Sequence, residues 1–222
     1  LSSASGGAVG ASRHPRPRTA TPKPTPRRTG LTPMRMQTGM GESCSAEPAT
    51  IYIGLGANLD NPRRQVEQAI AELAILPHGR LLAVSPLYRT APVGPPDQPD
   101  YINAVVRLDT LLSPRGLLVA LQRIERRHGR VRDGSRWGPR TLDLDILLYG
   151  DAQIDEPGLH LPHAEMHRRA FVLVPLSDIA PPGLWIPGRG ALGVLLSGLD
   201  RSGIDPLPSA AAAGETRQAE LC

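Results

Sequence analysis

In the stretch Arg136-Trp137-Gly138-Pro139-Arg140-Thr141-Leu142-Asp143-Leu144-Asp145-Ile146-Leu147, two arginines bracket a Trp-Gly-Pro turn that runs directly into alternating aspartate and leucine. Side chains of a β-strand alternate between faces, so a strand here points Leu142, Leu144, Ile146 and Leu148 one way and brings Asp143 and Asp145 together on the other. Two neighbouring carboxylates repel each other unless something positive lies between them. Mg²⁺ is the usual solution, because it prefers hard oxygen ligands and keeps part of its water shell. Arg136 and Arg140 stand within a few residues of that position, and guanidinium forks match phosphate oxygens. The combination suits phosphoryl transfer, in which the protein contributes charge neutralisation and positioning. An isolated Asp-x-Asp is more simply read as the solvated face of an edge strand. The arginines and the rigid Gly138-Pro139 turn favour the catalytic reading.

The surrounding pattern supplies elements to hold these residues. Residues 51–57 read as a first strand that breaks at Gly54-Leu55-Gly56-Ala57-Asn58. Asn61-Pro62 then opens a helix over about 63–76, with Val66, Ile70, Leu73 and Ala74 as its apolar stripe. Residues 81–88 read as a second strand. They lead into a loop over 90–99 whose prolines cannot donate to a sheet ladder, and a long loop in a compact domain is usually functional. Residues 101–109 alternate as a third strand, and Ser113-Pro114 caps a helix to about 128 with Leu117, Leu118, Leu121 and Ile124 inward. A basic loop, 129–136, precedes the Asp143 strand, a helix is expected over 165–177, and a short apolar helix follows Pro187. Two β-α-β units whose second and third strands are joined by a loop predict an α+β ferredoxin-like sandwich with a mostly antiparallel sheet. The Gly54-x-Gly56 pair lacks the third glycine of a dinucleotide fingerprint, and there is no phosphate-binding Walker sequence.

The chain has 222 residues, 40% of them hydrophobic, enough for one sizeable core. Its charge is uneven. Residues 1–41 carry seven basic side chains and no acid, although the whole chain has 25 basic and 21 acidic residues, so the remainder is mildly acidic. The basic excess therefore says little about nucleic acid or membrane binding by the folded part, and neither partner is expected. Residues 1–49 are rich in Ser, Gly, Pro, Thr and Arg without apolar periodicity. They are expected to form a disordered extension ahead of one domain over 50–207, with an Ala-rich disordered tail over 208–222. The extension also fits a transit peptide, or sequence upstream of a start at Met34, Met36 or Met40. No apolar run approaches the roughly 20 residues needed to span a bilayer. Cys44 and Cys222 are the only cysteines, which excludes a disulfide framework and fits a reducing, cytoplasmic setting.

Taken in order, Gly54-x-Gly56-x-Asn58-Leu59, Ser85-x-x-Tyr88-x-Thr90, Asp97-Gln98-Pro99-x-Tyr101-x-Asn103, Gln122-x-x-Glu125, the 136–147 segment, Pro162-His163 and Arg169-x-Phe171-Val172-Leu173-x-Pro175-Leu176 resemble the 6-hydroxymethyl-7,8-dihydropterin pyrophosphokinase family. The resemblance spans about 51–187 and is most specific in the arginine and double-aspartate segment. It implies transfer of pyrophosphate from ATP to a pterin alcohol with release of AMP, in folate biosynthesis, by a monomer acting on these two small molecules. It further implies that Asp143 and Asp145 hold two Mg²⁺ ions and that Arg130 and Arg140 stabilise the transferring group. Tyr101 and Phe171 would sandwich the pterin ring, Asn103 and the backbone near Thr90 and Val93 would read its edge, and Trp137 is placed to close over it. Without the resemblance, Tyr101 and Phe171 read as core residues. Gln122, Glu125, Arg132, Ile146, His163 and Arg169 match positions that contact ATP in the family. The chain departs from the family pattern at Gly158, His160, Ala164 and Glu165, so contacts there are not carried over. A ferredoxin-like RNA-binding module is the competing reading, although the expected central strands lack an aromatic stacking run.

Overall fold

The computed structural model describes residues 47–93, 97–130 and 138–208. The expected extension over 1–49 and tail over 208–222 fall outside these residues except at their inner ends. So do Arg132, Arg136 and Trp137.

Strand β1 (Ala49–Ala57) leads to helix α1 (Pro62–Ala74), strands β2 (Gly79–Val84) and β3 (Tyr88–Thr90), then β4 (Tyr101–Thr110), helix α2 (Pro114–Arg127) and strand β5 (Asp143–Tyr149). Both helices start as their sequences dictate. Pro62 and Pro114 occupy the first turn, where a missing N–H costs nothing, while the Asn61 and Ser113 side chains accept from the amides of Arg64 and Gly116. Two short hairpins follow, β6 (Ile154–Glu156) with β7 (Leu159–Leu161) and, after helix α3 (Ala170–Ile179), β8 (Trp185–Ile186) with β9 (Gly190–Ala191). Helix α4 (Leu192–Ser197) and strand β10 (Ile204–Pro206) complete the described chain.

One six-stranded sheet runs β10-β3-β4-β1-β5, with β2 also paired to β4 and every pairing antiparallel. Its order, β5 at one edge, then β1 and β4 at the centre, with β2 and β3 sharing the far side of β4, is the ferredoxin-like arrangement expected from the β-α-β order. Strand alternation gives the sheet two packed faces. Ile51, Ile53, Leu55, Ala104, Val106, Leu144 and Ile146 bury against Val66, Ala69 and Leu73 of α1 and Leu117, Leu121 and Ile124 of α2. Tyr52, Val105, Leu147 and Leu148 bury on the other face, against Val172, Leu173 and Leu176 of α3 and Leu192 of α4. A second helical layer therefore lies on the face that a two-layer sandwich leaves open.

Four local expectations need correction. The second strand is two strands, because Pro86 cannot donate; Ser85 makes the kink, its Oγ accepting from the Val105 amide at 3.0 Å and donating to the Pro86 carbonyl at 2.8 Å. Leu148 does not share a face with Leu142, Leu144 and Ile146. Tyr52 pairs with Leu148 but Ile53 pairs with Ile146, so a bulge at Leu147 puts Leu147 and Leu148 both on the α3 side. The helix expected over 165–177 begins later: Met166–Arg168 form a 3₁₀ turn, and α3 starts at Ala170. Finally, β10 was not anticipated. It pairs with β3, Leu207 donates to the Leu87 carbonyl at 2.7 Å, and Arg63 donates to the Pro208 carbonyl at 3.1 Å.

Candidate active site

Across the α3 face of the sheet, register sets the site residues side by side. Asp143 of β5 pairs with Gly56 of β1, which pairs with Asn103 of β4; one step along, Asp145 pairs with Gly54, which pairs with Val105. The two glycines interrupt the floor. Tyr52 and Leu147 close the core beside them, but at Gly54 and Gly56 no side chain rises towards α3, and a cavity of about 330 Å³ opens. A Cβ on Gly56 would come within 3.1 Å of Asn103 Oδ1, and one on Gly54 within 3.3 Å of Leu147. Glycine inside a strand commonly marks such a close approach, the signal from which these two positions could have been assigned.

The cavity brings together ten of the residues anticipated for the site: Thr90, Val93, Tyr101, Asn103, Arg140, Asp143, Asp145, His163, Arg169 and Phe171. Its two sides differ. Towards β3 and α3 the walls are Tyr101, Phe171, Val172, Val93 and Ala91, with a fixed polar pair on the floor, where the buried Asn103 amide donates to Thr90 Oγ1 at 2.8 Å. Tyr101 and Phe171 are half-buried and line the cavity, Phe171 also packing against the α3-side core. The Tyr101 hydroxyl donates to the Gly138 carbonyl at 3.1 Å, and the Arg169 guanidinium lies 5.8 Å from the Phe171 ring centroid, within cation–π range. The β3 wall is tied to α3 by the Tyr88 hydroxyl, which donates to Asp178 Oδ2 at 2.8 Å. Burial and this carboxylate push the Tyr88 phenol up to about 12.

Towards β5 the cavity is charged. Arg130 and Arg140 pair with the two oxygens of Asp143, one guanidinium on each. Arg130 is also held by Glu125 Oε1 at 3.0 Å and the Leu142 carbonyl at 3.1 Å. Burial opposes the charge on Arg140, but Asp143 outweighs it and holds the guanidinium above its ordinary value. Asp145 has the opposite experience. Burial, then the charge of Asp143, push its carboxyl well above the usual carboxylate range, with Arg130 pulling the other way. Its side chain stays 45% exposed, so solvent relieves part of that cost. His163 Nε2 lies 3.8 Å from Asp145 Oδ2, while its Nδ1 accepts from the Glu165 amide at 3.2 Å. Burial first, then Arg169, lower the His163 imidazole to about 4, so the ring is neutral at physiological pH.

Three anticipated nucleotide contacts are placed elsewhere. Ile146 is buried in the α1/α2 core on the opposite face of the sheet. Gln122 is half-buried on α2 and does not line the cavity. Glu125 is buried, and its Oε1 accepts from both the Leu144 amide at 3.0 Å and Arg130. Arg132 and Trp137 lie outside the described residues. The sheet face on which an RNA-binding module would stack bases is covered by α3 and α4, so nothing in this architecture supports that alternative.

Fold and site define a class: an α+β domain in which an aromatic-walled, small-molecule cavity joins an edge of paired arginines and carboxylates of the kind phosphoryl transfer uses. Residues 52–181 match the family 7,8-dihydro-6-hydroxymethylpterin-pyrophosphokinase (HPPK). The chain is 52% identical over 160 residues to 2-amino-4-hydroxy-6-hydroxymethyldihydropteridine pyrophosphokinase of Pseudomonas aeruginosa, covering 72% of this chain and 98% of that protein. It is likewise 52% identical over 131 residues to the Haemophilus influenzae protein of the same name, covering 59% of this chain and 81% of that one. Among solved structures, Plasmodium falciparum HPPK-DHPS with pteroate superposes with a TM-score of 0.53 at 14% identity, over 68% of this chain and 42% of that one. The likeness is one of fold, and this chain spans less than half the length of that protein. The chain belongs to the 7,8-dihydro-6-hydroxymethylpterin-pyrophosphokinase family.

Proposed function

We propose that the chain transfers the terminal pyrophosphoryl group of ATP to the hydroxymethyl group of 6-hydroxymethyl-7,8-dihydropterin, a step of folate biosynthesis, as a monomer in a reducing, cytoplasmic setting. The observation that carries this reading is the two-sided cavity: apolar and aromatic walls with one fixed amide–hydroxyl pair suit a flat heterocycle, and the adjoining arginines and aspartates suit the phosphates. A bond forms between the hydroxymethyl oxygen and the β-phosphorus of ATP, the bond from that phosphorus to the oxygen bridging to the α-phosphate breaks, and AMP and the hydroxyl proton leave.

Tyr101 and Phe171 hold the ring between them, and the Asn103–Thr90 pair reads its polar edge, fixing which substituent points to β5. Arg140 and Arg130 neutralise charge on the transferring group, already poised by the carboxylates that orient them. His163 and Arg169 line the same edge, where a neutral imidazole and a fixed cation can donate to phosphate oxygens. Asp143 and Asp145 are the residues that would hold Mg²⁺. The fit is chemical: two hard oxygen donors share one strand face, and Asp145 carries an elevated proton affinity that a neighbouring cation would relieve. Two ions held by these carboxylates would supply positive charge to offset the negative charge of the phosphates during transfer.

The test is to incubate the protein with ATP and Mg²⁺, with and without the pterin. AMP should form only when the pterin is present, and chelation of Mg²⁺ should stop it. Release of ADP would overturn pyrophosphoryl transfer.

A further inference from the structure

Asn58 follows the last residue of β1 and is 2% exposed. It makes a reciprocal link with the peptide of Arg140: its side-chain Oδ1 accepts from the Arg140 amide at 2.7 Å, and its own amide donates to the Arg140 carbonyl at 2.9 Å. Leu59 adds a second donor to the same carbonyl, at 3.2 Å. The other half of the Asn58 side chain points to a different loop. Its Nδ2 donates to the Pro99 carbonyl at 3.2 Å and to Gln98 Oε1 at 3.4 Å. One buried amide thus joins the end of β1 to Arg140, which lines the cavity on the phosphate side, and to Gln98 and Pro99, which lead into Tyr101 on the aromatic side.

We infer that Asn58 is a positioning residue that sets Arg140 against Asp143 and holds the approach to Tyr101 at a matching height. Asparagine is suited to this because a single rigid group supplies an acceptor for an amide and two donors for carbonyls. Its place at the end of a core strand gives both loops a common rigid reference. Arg140 is bound to its carboxylate through a long, flexible side chain, so fixing its backbone is what limits where its guanidinium can sit. Loss of such a reference allows displacement on the scale of an ångström, enough to cost on the order of 10²-fold in rate. The inference rests on the activity proposed above, and it predicts a coupling between two residues that do not share a substrate contact.

A double-mutant cycle tests it, with kcat and KM for AMP release measured in wild type, Asn58→Ala, Arg140→Lys and the double variant. Asn58→Ala should lower kcat by on the order of 10²-fold in the wild-type background, and only a few-fold when Arg140 is already Lys. Equal losses in both backgrounds would overturn the inference, since they would mean that Asn58 supports the domain generally. Asn58→Asp, which keeps the acceptor for Arg140 and loses the donors to Pro99 and Gln98, should spare kcat and raise KM for the pterin. A kcat loss as large as that of Asn58→Ala counts against the proposed split. If Asn58→Ala does not fold, Asn58→Asp carries the test in both backgrounds: its rise in pterin KM should be the same with Arg140 intact and in Arg140→Lys, and a loss of kcat with Arg140 intact contradicts the inference. Should wild type release no AMP, the activity reading fails, and Asn58 is judged by hydrogen exchange instead. The Arg140 amide should be protected in wild type and exposed in Asn58→Ala; equal protection overturns the inference.

Discussion

Glu125 separates two explanations of one side chain. If it contacts nucleotide directly, its removal should raise KM for ATP and leave stability alone. The structure assigns it a different load. Its carboxylate is buried, accepts from the Leu144 amide and holds Arg130, whose side chain is only 13% exposed. Glu125→Ala leaves that amide without its carboxylate acceptor, at a cost of about 1–3 kcal/mol, and removes a charged hydrogen bond of about 1.5–3 kcal/mol. Asp143 remains as a partner for Arg130, so the full penalty of an orphaned buried charge, about 3–5 kcal/mol, sets the upper limit. A loss of about 3 kcal/mol corresponds to roughly 6–12 °C in Tm for a domain of this size. Glu125→Gln keeps an oxygen for the Leu144 amide and loses only the charge, so about 1 kcal/mol, or roughly 2–4 °C, is expected. Thermal and urea unfolding, with KM for ATP measured on the same preparations, decide the matter. A Glu125→Ala protein with wild-type Tm and a raised KM for ATP would refute the reasoning.

Asp143→Asn and Asp145→Asn should each reduce AMP formation by at least about 10²-fold, measured by product chromatography, and their stabilities should diverge. Asp143 is paired with two arginines, so its loss should lower Tm. Because the Asp145 carboxyl is raised in the folded state, that state binds more protons than the unfolded one, and wild-type stability falls as pH rises from the ordinary carboxylate range towards neutrality; Asp145→Asn should flatten this slope in pH-dependent unfolding, and an unchanged slope contradicts it. The His163 imidazole, lowered to about 4, should give an NMR titration midpoint near that value, and stability should be lost as pH falls from about 6.5 towards 4, the window in which the unfolded ring binds the proton first. Gly56→Val should block the cavity floor, since even its Cβ meets Asn103 Oδ1 at 3.1 Å, and should weaken pterin binding more than ATP binding in calorimetry.

Much of the framework is local and was therefore readable. The caps at Asn61-Pro62 and Ser113-Pro114 depend on residues in contact along the chain, and the helices begin where those residues put them. The alternation that sets Asp143 and Asp145 on one face is likewise a property of a single strand. Leu148 marks the limit of that rule. A bulge is an agreement between two strands about register, and nothing in the β5 residues alone announces it. The second strand failed for a nearer reason: Pro86 was visible, but the compensating Ser85–Val105 bonds come from a strand some 20 residues on.

The site divides in the same way. Residue types and their order are enough to suggest phosphate chemistry, and the spacing of the motifs suggests a family. Whether Tyr101 and Phe171 pack in the core or face a ligand depends on the gap between sheet and α3, which Gly54 and Gly56 open only because α3 crosses that face. Glu125 shows the same dependence, since a helix position three residues from Gln122 can face solvent or another element, and here β5 lies against it. Asn58 and Arg140 are 82 residues apart in the chain. Their hydrogen bonds exist because β1 and β5 are neighbours, and that proximity is a decision of the folded sheet, in which each strand's place is set by the burial of all the others.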